Sequence, residues 1–265
     1  MQPLSPHSTA EEVRLASRSG QWTKPTSGLA MGFVQANLVV LPKEYAFDFL
    51  LFCLRNPQAC PLLSVVEAGQ VEPIDIAPGA DLRTDLPRYA VYQDGVLFDQ
   101  PTDIQAFWRN DLVSFLLGCS FSFESVMIEE NLPLRHLEQN VNVPMYRTNQ
   151  KNRAAGIFEG ELVVSMRPLK PELINLASHL SGRMPLAHGA PVFAGDPAEL
   201  GIRDINKPDF GDPVTIHEGE IPVFWACGVT PQAAIMAARP TLALTHCPGH
   251  MFLTDMRDHD IIHSS

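Results

Sequence analysis

Residues 221–250 read IPVFWACGVTPQAAIMAARPTLALTHCPGH. Ile221 to Ala226 is a short apolar run of strand-forming residues. Cys227-Gly228-Val229-Thr230-Pro231 breaks it: Thr230 is a good helix N-cap and Pro231 a good first helical residue. The alanine-rich run from Pro231 to Arg239 predicts a helix, and Thr241 to Thr245 a second strand. A strand–helix–strand unit with a connection of this length favours parallel pairing. The expected fold is therefore α/β, with mixed, partly parallel sheets and flanking helices. In a parallel sheet, ligands gather at the carboxyl ends of the strands. That would place the Cys227–Thr230 turn and the His246–His250 turn on one edge.

The same unit pattern extends upstream. Leu162 to Met166 reads as a strand, Pro171 to Leu180 as a helix and Ala190 to Ala194 as a strand. Toward the N-terminus, Ser8 and Thr9 with Glu11 and Glu12 resemble a capping box that opens a helix ending at Arg18. Pro42 introduces a helix over Lys43 to Arg55, whose apolar residues nearly surround it and predict burial on all sides. Tyr89 to Tyr92 reads as a strand before an Asp94-Gly95 turn. Thr102 and Gln105 form a second capping-box pair, predicting a helix to Leu117 with Ile104, Trp108 and Leu112 inward. After Gly118 another helix is expected from Ser120 to Glu130. The change of pattern near residue 150 suggests an N-terminal α+β part (1–150) and a C-terminal βαβ-containing part (151–265).

The chain has 265 residues, of which 45% are hydrophobic and 18% charged, a globular balance. Its net charge of −11, with no lysine or arginine cluster, argues against nucleic acid. An acidic ligand would need a few local arginines or helix N-termini. Met1-Gln2-Pro3-Leu4 carries no signal-peptide pattern, and no apolar stretch is long enough for a membrane span. The five dispersed cysteines fit neither a disulfide framework nor a cysteine zinc site, so a cytoplasmic setting is expected. A homo-oligomer is compatible with the sequence. No Gly-x-Gly-x-x-Gly, Walker or Gly-x-Ser-x-Gly motif is present, and no cofactor is expected.

The candidate chemistry lies in loops. The helix mouth at Gly228–Thr230 can accept an anion; an ordinary capped helix is the plain alternative. His246 and His250 stand four apart, but Pro248-Gly249 between them excludes a helical metal pair, so proton transfer is the better use and no metal is expected. Cys119 and Ser120 sit at a helix start that would acidify them, and Glu124, flanked by phenylalanines, would have a raised pKa suited to a general acid or base. In Tyr146-Arg147-Thr148-Asn149, Arg147 with Asn149 is a candidate carboxylate clamp. Arg83, Arg167 and His188 are further binding candidates, although each arginine taken singly is more often an ion-pair partner.

Several segments resemble a known family, the bacterial hydro-lyases related to D-glutamate cyclase. They include Val34–Leu38, Phe47–Cys53, Leu82–Pro87, Gly118–Glu124, Asn142–Asn149, Val164–Pro168, His188–Pro191, Pro208–Asp212, Pro222–Pro231 and His246–Phe252. One local departure is Pro25-Thr26-Ser27-Gly28-Leu29-Ala30-Met31-Gly32, which carries serine and methionine where the family pattern has alanine and proline. The resemblance implies an α/β fold of two intertwined layers or subdomains, which need not be continuous in the chain, and a carbon–oxygen lyase, with cyclisation of D-glutamate to 5-oxo-D-proline as the family's best-defined activity. In that reaction Arg147 would clamp a carboxylate, Gly228–Thr230 would stabilise the oxyanion, His246 or His250 would protonate the leaving oxygen and Glu124 would take the amine proton. Cys119 as a nucleophile is a variant. These assignments rest on side-chain chemistry, not on the resemblance. A dehydratase of another small acid and a non-catalytic acid-binding protein remain alternatives.

Overall fold

Every pair of named strands in the computed structural model, which describes residues 4–262, is antiparallel. In chain order the elements are α1 (Ala10–Arg18), β1 (Phe33–Pro42), α2 (Lys43–Arg55), β2 (Leu62–Val66), β3 (Tyr89–Gln93) and β4 (Val96–Asp99). Next come β5 (Leu112–Gly118), α3 (Phe121–Glu129), α4 (Arg135–Glu138), β6 (Met145–Lys151), β7 (Glu161–Leu169) and α5 (Pro171–Gly182). The last are β8 (Phe193–Ala194), β9 (Ile221–Ala226), α6 (Thr230–Ala238), β10 (Ala243–His246) and β11 (Phe252–Arg257). One sheet has the order β2-β5-β1-β10-β3-β4, with β11 also on β1; the other has the order β6-β7-β9-β8. Both ends of the chain thus build the first sheet and the middle builds the second.

β1 explains how the first sheet holds together. Its side chains alternate between two cores, as the period of two requires. Val39 and Leu41 pack with Phe49, Phe52, Phe115 and Phe158. Ala36, Leu38 and Val40 pack on the other face with Leu82, Tyr89 and Leu116. One edge of β1 pairs with β5 from Ala36 to Pro42. Its other edge is shared: β11 takes Phe33–Ala36 and β10 takes Val39 and Val40. Between these two partners the His246 imidazole takes over, with Nδ1 at 3.2 Å from both the amide nitrogen and the carbonyl oxygen of Leu38.

The partly parallel sheet is therefore corrected. β9 and β10 lie in different sheets, and both edges of each are already occupied by antiparallel partners. The rule that a strand–helix–strand unit pairs in parallel applies only when both strands enter one sheet; here α6 bridges two. The helix expected over 102–117 is also corrected. Only Gln105–Phe107 forms a short 3-10 turn, and Leu112–Gly118 is a buried central strand between β1 and β2. A short apolar run of this kind carries no period of its own, and its neighbours in the sheet decide its conformation. α2 is buried on one face only, through Phe49, Phe52 and Cys53, while Phe47 is 73% exposed.

Other expectations hold. Thr9 and Glu12 form a reciprocal capping box on α1. Asp94 and Gly95 both have positive φ, as a two-residue hairpin turn between β3 and β4 requires.

Candidate functional site

Two strands, one from each sheet, end in the same way. β5 runs into Cys119-Ser120 and then α3; β9 runs into Cys227-Gly228-Val229 and then α6. The two turns face one another across the seam between the sheets. With Asn37, His246, Gly249, Met145 and Met251 they line a small cavity of about 20 Å³, room for about one water molecule. Two nine-residue helices thus direct their N-termini at one small space. The Ser120 and Gly228 amides bond no backbone carbonyl among the described residues. Free amides at a helix start attract negative charge.

Asn37 lies between the two turns. Its Nδ2 donates to the carbonyl oxygens of Gly118 at 2.7 Å and Leu117 at 3.4 Å. It also presses on Gly228, where a Cβ would come 2.1 Å from Nδ2. Only a glycine fits that position.

Behind Ser120 stands a buried ion cluster. Arg167 donates from Nη2 to Ser120 Oγ at 3.1 Å, from Nη1 to Ser165 Oγ at 3.0 Å and from Nε to Glu124 Oε1 at 3.0 Å. A second, shorter contact joins Arg167 Nη2 to the same carboxylate. His136 Nε2 lies 3.2 Å from Glu124 Oε1. The guanidinium is flanked by the rings of Phe123 and Trp225, with centroids 5.0 and 5.4 Å away. Burial pushes the Glu124 carboxyl up, but His136 and Arg167 outweigh it and hold the pKa at about 2. The raised carboxyl expected at Glu124 is thus reversed, because the phenylalanines flank an ion pair and not a lone acid.

His246 is fully enclosed, and burial lowers its imidazole pKa to about 4, against a hydrogen bond to Leu38 that acts to raise it. Its Nε2 lies 3.4 Å from Nε2 of Gln232, whose amide also donates to the His246 carbonyl at 2.8 Å. The two thiols are protonated at neutral pH. Burial raises Cys119 far above its ordinary value against the Phe121 amide, and raises Cys227 to about 11 against the Val229 amide.

The sequence profile of the D-glutamate cyclase family matches residues 113–255, which carry most of the cavity wall. A protein of Natranaerobius thermophilus is 56% identical over 249 residues, covering 94% of this chain and 95% of its own. One from Geobacillus kaustophilus is 56% identical over 253 residues, 96% of each chain. One from Rubrobacter xylanophilus is 57% identical over 249 residues, 94% of this chain and 96% of its own. The name of each begins "Putative hydro-lyase". The chain belongs to the D-glutamate cyclase family. A solved nitrogen repressor-like protein of Methanococcus jannaschii aligns over 89% of this chain and 91% of its own, at 10% identity and a TM-score of 0.38.

In this member of the D-glutamate cyclase family, the cavity gathers Cys119, Ser120, Gly228 and His246 from the sequence-predicted set. Glu124 and Arg167 stand one layer behind it. The others lie elsewhere. His250 does not line the cavity; its Nδ1 lies 3.0 Å from the Pro248 carbonyl, and burial lowers its pKa. Thr230 is the first residue of α6 and not its N-cap; its hydroxyl ties α6 to both the amide and the carbonyl of Val163. Arg147 lies outside on β6, over the Phe210 ring at 5.6 Å and beside open clefts of about 540 and 440 Å³. Tyr146 donates its hydroxyl to Ile205 at 2.6 Å, and Asn149 its amide to Glu199 at 3.3 Å. Arg83 is paired with Asp81. His188 is buried with Nδ1 at 2.8 Å from the Gln58 carbonyl, and burial lowers its pKa to about 4.

Asn37, Met145 and Met251 were missed from sequence. Asn37 had a legible signal: with Gln35, it is one of two polar residues inside the otherwise apolar Phe33–Pro42 strand. Among the described residues no group of three or more His, Cys, Asp and Glu side chains could hold a metal ion, and no helix is long and apolar enough to cross a membrane.

Proposed function

We propose that the protein is a hydro-lyase that takes a small acidic amino acid into the cavity and cyclises D-glutamate to 5-oxo-D-proline with loss of water. One observation carries this: two helix N-termini from different sheets and a buried neutral imidazole converge on one cavity. Two anion-binding mouths suit a dicarboxylate. One carboxylate rests on the Ser120 amide and hydroxyl, which Arg167 polarises. The reacting carboxyl rests on the Gly228 amide, which stabilises the oxyanion as the tetrahedral centre forms.

The amino nitrogen attacks the side-chain carboxyl carbon, forming the C–N bond, and a C–O bond then breaks. In balance, two protons leave the ammonium and both finish on the departing oxygen. His246, neutral at pH 7, carries them and ends unchanged. Holding both ends of the substrate folds a floppy chain into a near-attack geometry. Glu124 is tied to Arg167 and acts through it as a positioning residue. A thioester through Cys119 is disfavoured because its thiol holds its proton. Glutamate exceeds a one-water cavity, so binding opens the seam at the flexible side chains of Met145 and Met251. Arg147, one strand step outward from Met145, is assigned to the entrance.

The decisive experiment incubates the purified protein with acidic D- and L-amino acids and follows loss of water by mass spectrometry. D-Glutamate should be converted. A melting-temperature shift by these acids without dehydration of any would replace the lyase with a binding protein.

A further inference from the structure

The polar lining of the cavity is lopsided. The Ser120 and Gly228 amides and the Ser120 hydroxyl can all donate, which suits carboxylates. A substrate amine, by contrast, needs an acceptor.

Asn37 supplies one. Its residue is 2% exposed and lines the cavity, and its orientation is set by the two carbonyls of Leu117 and Gly118, which only an NH2 group can satisfy. That leaves Oδ1 with no donor among the described residues. Gln35, on the same face of the same strand, makes the contrast. Its Oε1 accepts from Thr26 Oγ1 at 2.7 Å, and its Nε2 donates to the Thr26 and Leu29 carbonyls at 3.2 Å each. Gln35 is therefore a satisfied structural amide, while Asn37 is half satisfied. An acceptor on a cavity-lining residue that no protein group satisfies is available to an N–H of a ligand held there.

We infer that Asn37 Oδ1 receives the substrate's amino nitrogen and makes the site selective for amino dicarboxylates over dicarboxylates without the amine. The inference deepens the proposed function and rests on it. A neutral amide is the right acceptor for this chemistry. A carboxylate in its place would hold the ammonium in its charged, non-nucleophilic form, whereas a neutral amide oxygen favours the ammonium less and can still accept from the free amine and the lactam N–H of the product. The other titratable groups facing the cavity are His246 on β10 and the thiols of Cys119 and Cys227, with Arg167 behind Ser120.

The test compares D-glutamate with glutarate, which lacks only the amine, by calorimetry on the wild-type protein and on Asn37→Ala and Asn37→Asp. Wild type should bind glutarate about 100-fold more weakly, because it leaves the acceptor unpaired. In Asn37→Ala that ratio should collapse to less than about tenfold. In Asn37→Asp, kcat should fall with KM unchanged or lower, and the alkaline shift of the pH–rate profile should mark a substrate amine held protonated. A purely structural Asn37 would lower turnover without moving the ratio or the profile. Equal binding of the two acids by wild type overturns the inference and leaves the lyase proposal standing. Binding of D-glutamate without turnover sinks the lyase proposal, while the ratio still decides Asn37. If neither acid binds, both fall.

Discussion

Arg167 on β7 donates through Nε to Oε1 of Glu124 on α3 at 3.0 Å, joining an element of the second sheet to the helix that leaves the first. Removing one member of a buried pair leaves an uncompensated charge. Glu124→Gln should cost about 3–5 kcal/mol of unfolding free energy, read by urea denaturation. The folded pKa of Glu124, about 2, lies below its ordinary 4.5. Its contribution is therefore fully present above about pH 4.5 and is lost as pH falls toward 2. The acid limb of the stability profile should flatten over that window in the variant.

The buried histidines act in a higher window. His246 and His188 both fall to about 4 from 6.5 because burial disfavours the charged ring. The unfolded chain binds these protons first, so stability is complete above about pH 6.5 and declines as pH falls to 4. Each group accounts for on the order of 3 kcal/mol across that interval. His246→Gln should reduce the slope of unfolding free energy against pH there. An unchanged slope would mean that the ring is already solvated.

Gly228 and Asn37 should behave as one unit. A methyl at 228 would collide with the Asn37 amide, and overpacking of this kind costs about 1–3 kcal/mol. Gly228→Ala should lower both stability and turnover. Adding Asn37→Ala should recover most of the stability and none of the turnover, a coupling that a double-mutant cycle measures. Additive losses would separate the two positions.

Ser120 and Arg147 divide the cavity from its surroundings. Ser120→Ala removes a hydroxyl from the cavity wall and should lower kcat/KM about 10- to 100-fold. Arg147→Ala, at an exposed position with no ion-pair partner among the described residues, should change unfolding free energy by less than about 0.5 kcal/mol and affect KM more than kcat. The opposite ranking in steady-state kinetics would move the substrate site to the outer cleft.

The sequence alone was enough for local structure wherever backbone chemistry decides it. The Thr9–Glu12 capping box, the Asp94-Gly95 turn and the Ile221–Ala226 strand are set by neighbours within a few residues. The turns at Cys119 and Cys227, and His246, were equally visible as polar breaks between apolar runs. Partnership was not. Hydrogen-bonding edges do not name their partners, so nothing between Trp225 and Thr245 tells that β9 and β10 join different sheets, or that Leu112–Gly118 is clasped between β1 and β2 and does not coil. The character of Glu124 was equally hidden. Its neighbours in sequence are phenylalanines, but the groups that hold it ionised are the side chains of residues 136 and 167, and only the folded chain brings them within 3.2 Å. Electrostatics depends on distance through space, and that distance is a property of the tertiary structure.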